Sequence, residues 1–191
     1  MKFKNISLIC VIHLGLFMGS VLQAMDKVGL RDLSGIELET TYFTEIAKLI
    51  LAGGDVNAQN GCAGETLLCK AVRDGYNVRV RFLIRNGASV NVTSKTFGEI
   101  PLHLAARSGR EGIAQILLDE GSEIDYKTLL GFTPLHCAVF GGHEGMVRLL
   151  LARGANVNAR DNSDETPLFY ASNKGYVKIV AILIQSGASF C

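Results

Sequence analysis

Two short apolar segments alternate along the chain from about residue 61 to its end. In the unit that contains Thr133, the first segment runs from Pro134 to about Gly141 and the second from about Glu144 to Ala152. Apolar residues in both segments recur on one side of a 3.6-residue period, which is typical of a helix with one buried face. The pattern therefore predicts two consecutive helices with these bounds.

Helix start and stop signals flank both segments. Pro134 suits the first position of a helix because it has no N–H to leave unpaired, and Thr133 before it can cap free backbone amides. Gly142 and His143 interrupt the helices, and we expect His143 to form hydrogen bonds within that turn. Gly154 follows the second helix as a left-handed cap, and residues 155–158 are predicted to continue as an extended finger.

The unit occurs four times, at intervals of 34, 33 and 33 residues, and three markers keep the same register. The first marker is the helix start: Thr66–Cys69, Ile100–His103, Thr133–His136 and Thr166–Phe169. The second and third are glycines: Gly75, Gly109, Gly142 and Gly175, then Gly87, Gly121, Gly154 and Gly187. Three markers in one register identify an internal repeat, and such units bury their apolar faces by stacking on one another.

The unit from Gly131 to Ala159 resembles an ankyrin repeat almost position for position. The resemblance implies an all-α ankyrin-repeat solenoid of stacked helix-turn-helix units, with β-hairpin fingers along one edge and a concave face made by the first helices. Four repeats are predicted within residues 61–191, at about 61–94, 95–127, 128–160 and 161–191. Residues 25–60 are predicted to form a degenerate N-terminal capping repeat, because residues 45–57 match a second helix and finger.

Residues 1–24 have the features of a signal peptide. Lys2 and Lys4 precede an almost wholly apolar run over residues 6–21, and Ala24 is a small residue at the expected cleavage point. Export to the periplasm or the outside of a bacterial cell is the resulting expectation. The competing interpretation is a membrane anchor kept by an uncleaved leader, since the run is close to the length that spans a bilayer.

Charge and cysteine content narrow the classes of function. The net charge of +1 in 191 residues carries no excess of basic residues, so a nucleic-acid partner is not expected. Four cysteines follow the leader, namely Cys62, Cys69, Cys137 and Cys191. An exported chain can form disulfides, but the irregular spacing of the cysteines favours small buried thiols.

The last repeat has no polar capping repeat after it. Either its apolar face is partly exposed, or a partner or a second copy of the chain covers it.

His103 and His136 stand in one column with Cys69, which raises the question of a metal site. Equivalent positions in stacked helices are about 8–10 Å apart, whereas zinc holds its ligands at about 2.0–2.3 Å. No metal site is therefore expected, and the resemblance implies that the histidine bonds the motif threonine and nearby backbone. No phosphate-binding loop, nucleophile elbow or metalloprotease motif is present in the sequence, so no enzyme activity and no cofactor are expected.

The resemblance implies that a protein partner meets the fingers and the concave face. The apolar candidates there are Phe97, Leu129, Leu130, Phe132 and Phe140. The polar candidates are Arg73, Asp74, Glu99, Arg107, Glu165, Asn173 and Lys174. An apolar centre with a charged rim is how specific protein interfaces are organised. The alternative is that the apolar residues pack against neighbouring fingers, and Phe132 is the first candidate for that.

The sequence thus predicts an exported, non-catalytic protein-interaction module that binds another protein of unknown identity. Two alternatives remain open at this point. One is an ankyrin scaffold anchored to a membrane by the uncleaved leader, and the other is a secreted effector that acts on a host protein.

Overall fold

The computed structural model describes residues 46, 52–59 and 64–189. The predicted signal peptide, most of the predicted capping repeat, Cys62 and Cys191 lie outside these residues. The chain divides into two compact units, residues 1–54 and 55–191, and the boundary falls inside the predicted capping repeat. Among the described residues, no helix has the length and apolar character needed to cross a membrane.

Residues 55–191 contain four consecutive helix pairs. They are α1 (Leu67–Asp74) with α2 (Asn77–Arg85), α3 (Pro101–Arg107) with α4 (Glu111–Asp119), α5 (Pro134–Gly141) with α6 (Glu144–Ala152), and α7 (Pro167–Asn173) with α8 (Val177–Gln185). The first helices pack on one another in chain order, and so do the second helices. Each first helix also packs on its own second helix. This two-layer stack confirms the predicted all-α solenoid and the bounds of α5 and α6.

The first helices begin at the predicted caps. The Oγ1 atoms of Thr66, Thr133 and Thr166 accept hydrogen bonds from the backbone N–H three residues later, at 3.2, 3.5 and 3.3 Å. A cap of this kind stabilises a protein by about 1 kcal/mol. Ile100 has no such oxygen, and the Nδ1 atom of His103 instead accepts from the Ile100 N–H at 3.3 Å. The second repeat therefore begins its helix through histidine alone.

The core lies between the two helix layers. The second residue of each first helix is a fully buried leucine: Leu68, Leu102, Leu135 and Leu168. Each second helix also has a fully buried leucine: Leu83, Leu117, Leu150 and Leu183. Burial of one such side chain contributes roughly 1.5–3 kcal/mol. The repeating leucines therefore explain why the stack forms with the same spacing in every unit.

The fingers are tight turns joined to one another by backbone hydrogen bonds. In the third finger, the Thr128 N–H donates to the Phe132 carbonyl and the Gly131 N–H to the Thr128 carbonyl, both at 2.9 Å. The Leu129 N–H donates to the Phe97 carbonyl of the preceding finger at 3.0 Å. The segment after Gly154, predicted to be extended, is a turn instead, because the Asn158 N–H bonds to Asn156 Oδ1 at 3.0 Å.

A column of asparagine side chains links successive repeats. Asn91 Nδ2 donates to the Gly121 carbonyl and Asn91 Oδ1 accepts from the Glu123 N–H. Asn57 and Asn158 make the same pair of bonds to the repeats that follow them. Asp125 occupies this position in the second repeat and only accepts, from the Asn156 N–H. One link in the column therefore lacks its donor.

Candidate protein-binding surface

The finger turns and the C-terminal ends of α1, α3, α5 and α7 form one surface, called here the finger face. Four of the five predicted apolar residues are exposed on it: Phe97 by 54%, Leu129 by 66%, Leu130 by 59% and Phe140 by 48%. Phe132 is half-buried. A contiguous group of exposed apolar side chains marks an interaction site, whereas single exposed ones do not, so the finger face is the leading candidate for a binding site.

Phe97, Leu129 and Leu130 form an apolar ridge on the second and third fingers. The backbone bond between Leu129 and Phe97 holds the two fingers together. Gly98 lies under the Leu129 side chain, where an added Cβ atom would be 3.1 Å from Leu129 Cγ, and its φ of 65° is left-handed. A glycine at this position therefore lets the leucine fold over the neighbouring finger.

Phe132 and Phe140 belong to a separate aromatic cluster around Tyr170. The Phe132 ring stacks on His136 with centroids 5.6 Å apart and meets Tyr170 edge-on at 5.6 Å. Phe140 meets Tyr170 edge-on at 6.5 Å and carries the Lys174 Nζ atom 3.9 Å above its centroid. Phe132 is thus engaged in intramolecular packing, whereas Phe140 keeps an open edge beside a lysine.

The predicted polar residues are not equally available. Asp74, Asn173 and Lys174 are exposed. Arg73 pairs with Glu65 at 2.9 Å, and Arg107 pairs with Glu99. The Glu99 side chain is only 8% exposed, so it holds Arg107 in place and does not face solvent as a rim residue would.

These contacts reveal a register that the sequence interpretation missed. In the first two repeats, the residue just before the helix start contacts the residue eight positions later. This pair is Glu65 with Arg73 and Glu99 with Arg107, and in the third repeat Phe132 and Phe140 stand at the same two positions. The recurring glutamate and arginine at a fixed spacing were visible in the sequence. The third repeat therefore replaces an ion pair by two aromatic rings.

The fourth finger is fixed by Asp161, which the sequence interpretation also missed. Asp161 Oδ1 accepts from the N–H groups of Ser163 and Glu165 at 2.8 and 3.0 Å, and Oδ2 accepts from the Tyr170 hydroxyl at 2.7 Å. Burial opposes the charged carboxylate, but these hydrogen bonds outweigh it and lower the pKa of Asp161. Burial and the neighbouring carboxylates raise the pKa of Tyr170, so the hydroxyl stays a donor and the ring stays in place.

His103 and His136 use both ring nitrogens for structure. Nδ1 of each accepts from the backbone N–H at the helix start, at 3.3 and 3.2 Å. Nε2 then carries the proton and donates to a carbonyl of the next finger, that of Phe132 at 3.0 Å and that of Glu165 at 3.3 Å. This confirms the structural role expected for the motif histidine and leaves neither ring a lone pair for a metal ion.

Burial keeps both rings neutral. It lowers the pKa of His103 to about 4 and also lowers the pKa of His136. Within the described part of the chain, no group of three or more His, Cys, Asp or Glu side chains is placed to hold a metal ion. His143 differs from expectation, because its Nε2 lies 2.9 Å from the Arg107 carbonyl of the preceding repeat and thus bonds outside its own turn.

The two described cysteines are buried free thiols. Cys69 lies in α1 and Cys137 in α5, and neither forms a disulfide. Burial raises the pKa of Cys137, although the nearby Arg107 opposes that shift. The Cys137 thiol is therefore protonated near neutral pH, as expected of a core residue and not of a nucleophile.

Comparison with known proteins agrees with the repeat geometry. The chain matches the family model for ankyrin repeats (three copies) over residues 40–128 and 120–191. It is 37% identical to human Rabankyrin-5 over 82 residues and 41% identical to the mouse 2-5A-dependent ribonuclease over 59 residues. It is also 31% identical over 85 residues to Delta-latroinsectotoxin-Lt1a of Latrodectus tredecimguttatus.

These matches cover 43%, 31% and 44% of this chain but only 7%, 8% and 7% of the three relatives. The similarity thus concerns the repeats and not the whole relatives. Ankyrin repeats are generally non-catalytic modules that bind other proteins. With four capped helix pairs in register and a family match over most of its length, the chain belongs to the ankyrin-repeat family.

Proposed function

We propose that this chain is an exported, non-catalytic interaction module that binds another protein through its finger face. The observation that carries the proposal is the apolar ridge of Phe97, Leu129 and Leu130, which lies open beside residues whose charges are paired within the chain. Apolar anchors at the centre of an interface contribute most of its binding energy, and polar surroundings exclude the wrong partners.

The proposal includes no catalysis and no cofactor. Both motif histidines have their nitrogens occupied, and the buried Cys137 thiol has a raised pKa. A catalytic site needs titratable groups that converge on one reacting atom. The histidines instead lie in successive repeats and each serves its own helix start, so a protein is the partner that the surface supports best.

Export rests on the leader pattern of residues 1–24. The alternative keeps the apolar run of residues 6–21 as a membrane anchor. N-terminal sequencing of the protein recovered from its native cell separates the two. A mature terminus at or near Met25 supports export, and an intact Met1 in the membrane fraction supports the anchored scaffold.

A second copy of the chain is one class of partner within this proposal. The last helix pair exposes three large apolar side chains, Phe169, Val177 and Ile184. The equivalent residues of the third repeat, His136, Glu144 and Leu151, are buried or less exposed. Light scattering over a range of protein concentrations tests this. A dimer that Val177→Asp weakens supports self-association, and a monomer at all concentrations contradicts it.

The finger face is tested by crosslinked capture from the native envelope with Leu129→Asp/Phe140→Asp. Both side chains are exposed, so helical content measured by circular dichroism should not change. Captured partner should fall at least about tenfold, the effect of 1.4 kcal/mol. Gln115→Asp is the matched control, because Gln115 is exposed on α4, away from the fingers and from the last helix pair. Normal capture by the double variant would contradict the proposal.

A further inference from the structure

We propose that the groove between the second finger and helices α1 and α3 is an anchor pocket for one aromatic side chain of the protein partner. The groove has a volume of about 420 Å³ and is lined by residues of the first two repeats. This inference rests on the proposed function, because it assigns a specific occupant to one part of the finger face.

The walls of the groove combine apolar side chains with glutamates that are paired to arginines. Cys69 and Leu104 line it from α1 and α3, and Phe97 lines it from the second finger. Arg73 and Arg107 stand at its edge, with side chains 61% and 46% exposed. Through Phe97 the groove continues into the apolar ridge, so a partner lying on the ridge could lower one side chain into it.

The charges of the groove exclude an acidic or basic occupant. Arg73 is neutralised by Glu65, and Arg107 by the buried Glu99. An incoming carboxylate would therefore meet a glutamate beside each arginine, and an incoming cation would meet the arginines themselves. Either would lose its hydration without gaining a free counterion. An apolar side chain needs no counterion and gains by displacing water from the apolar part of the walls.

The two arginines favour an aromatic over an aliphatic occupant. A guanidinium group stacks on aromatic faces even while it forms a hydrogen-bonded ion pair with a carboxylate. Arg73 and Arg107 both line the groove, so a ring stacked on either guanidinium gains a contact that a leucine side chain would not. Aromatic side chains are also the commonest anchors of protein interfaces.

The test uses the full-length chain, isotope-labelled and purified as its host cell processes it, with small mimics of amino-acid side chains. p-Cresol, which mimics tyrosine, should shift the backbone amide signals of Thr96, Phe97 and Ser108 in a saturable way. Acetate and n-butylammonium, which mimic acidic and basic side chains, should not shift them at equal concentration. Saturable binding of either ion at these amides, or none by p-cresol, overturns the proposal.

A variant in which a tryptophan side chain fills the groove tests the same site. Thr96 is exposed at the rim, so Thr96→Trp should fold normally and weaken p-cresol binding at least tenfold. Ser163→Trp, an exposed change on the fourth finger, should leave that binding unchanged. Equal binding by wild type and Thr96→Trp overturns the proposal.

The same variants distinguish failure of the pocket from failure of the proposed function. If Thr96→Trp captures partner normally while Leu129→Asp/Phe140→Asp does not, the pocket assignment is wrong and the finger face stands. If none of these changes affects capture, the finger face itself is wrong. Loss of capture in both Thr96→Trp and the double variant, but not in Gln115→Trp on the exposed side of α4, supports both proposals.

Discussion

The second and third repeats have the same two helices and the same finger turn, yet their finger faces differ. At the paired positions eight residues apart, the second repeat has Glu99 and Arg107, which form an ion pair with a buried carboxylate. The third repeat has Phe132 and Phe140, which both contact the Tyr170 ring. The same scaffold thus accepts an ion pair or two aromatic rings at these positions.

The difference matters because an ion pair and an aromatic pair leave different surfaces. In the second repeat the two charges satisfy each other, so the pair offers little attraction to a charged group of a partner. In the third repeat the Phe140 ring stays half-exposed, with Lys174 over its face and Tyr170 beside it. The fold therefore separates what holds a repeat together from what the repeat offers to another protein.

The largest expected effect tests whether the ion pair of the second repeat and the aromatic pair of the third contribute differently to the free energy of unfolding. Arg107→Met leaves the Glu99 carboxylate buried without its partner, which should lower the free energy of unfolding by about 2–4 kcal/mol. Phe140→Met at the equivalent exposed position should lower it by less than about 1 kcal/mol. Urea unfolding followed by circular dichroism measures both, and equal losses would show that the Glu99–Arg107 pair adds nothing.

The next effect concerns a feature that both repeats share, the neutral buried histidine. The pKa of His103 is 6.5 in the unfolded chain and about 4 in the folded protein. Between these values the unfolded chain binds more protons, so the free energy of unfolding decreases as the pH falls. The loss should be about 2 kcal/mol between roughly pH 7.5 and pH 5, and His136 shifts in the same direction.

Urea midpoints measured across that pH range provide the test. His103→Phe, which copies Phe169 of the fourth repeat, should be less stable at neutral pH but should depend less on pH. An unchanged pH dependence in this variant would mean that His103 is not responsible.

A smaller effect is expected when the third repeat is given the pair of the second. Phe132→Glu/Phe140→Arg removes the ring contacts with His136 and Tyr170 and should cost about 1 kcal/mol of stability. Partner capture should nevertheless be lost, because the exposed aromatic edge is gone. Gln115→Glu, an exposed change on α4 of the second repeat, is the control that should retain capture. Full capture by the exchanged repeat would contradict a role for Phe140.

The smallest effect uses the asparagine column, where the second repeat has Asp125 and the third has Asn158. Asp125→Asn restores a side-chain donor toward the exposed Gly154 carbonyl and should stabilise the protein by about 0.5–1 kcal/mol. Asn158→Asp removes the bond to Gly187 and should destabilise it by a similar amount. Thermal unfolding of the two variants should shift in opposite directions, and shifts of the same sign would rule out this explanation.

The fold could be predicted from the sequence because its signals are local and repeated. Proline, threonine and glycine set the ends of α5 and α6, and leucines at fixed intervals set their packing. The surface was harder to predict because it depends on contacts between repeats. Nothing local to Glu99 shows that it is buried under Arg107, and nothing local to Tyr170 shows that Asp161 and Phe140 meet it.

The inter-repeat bonds described above have a consequence for how such a chain can change. His103, His136, Asn91 and Asn158 all reach across to the following repeat, and each bonds a backbone N–H or carbonyl there. Every amino acid brings a carbonyl, and all but proline bring an N–H, so the receiving repeat needs no particular side chain. A duplicated, deleted or exchanged repeat can therefore form these backbone bonds with any neighbour, whereas finger-face contacts such as those of Phe132 and Phe140 with Tyr170 depend on the side chains of both repeats.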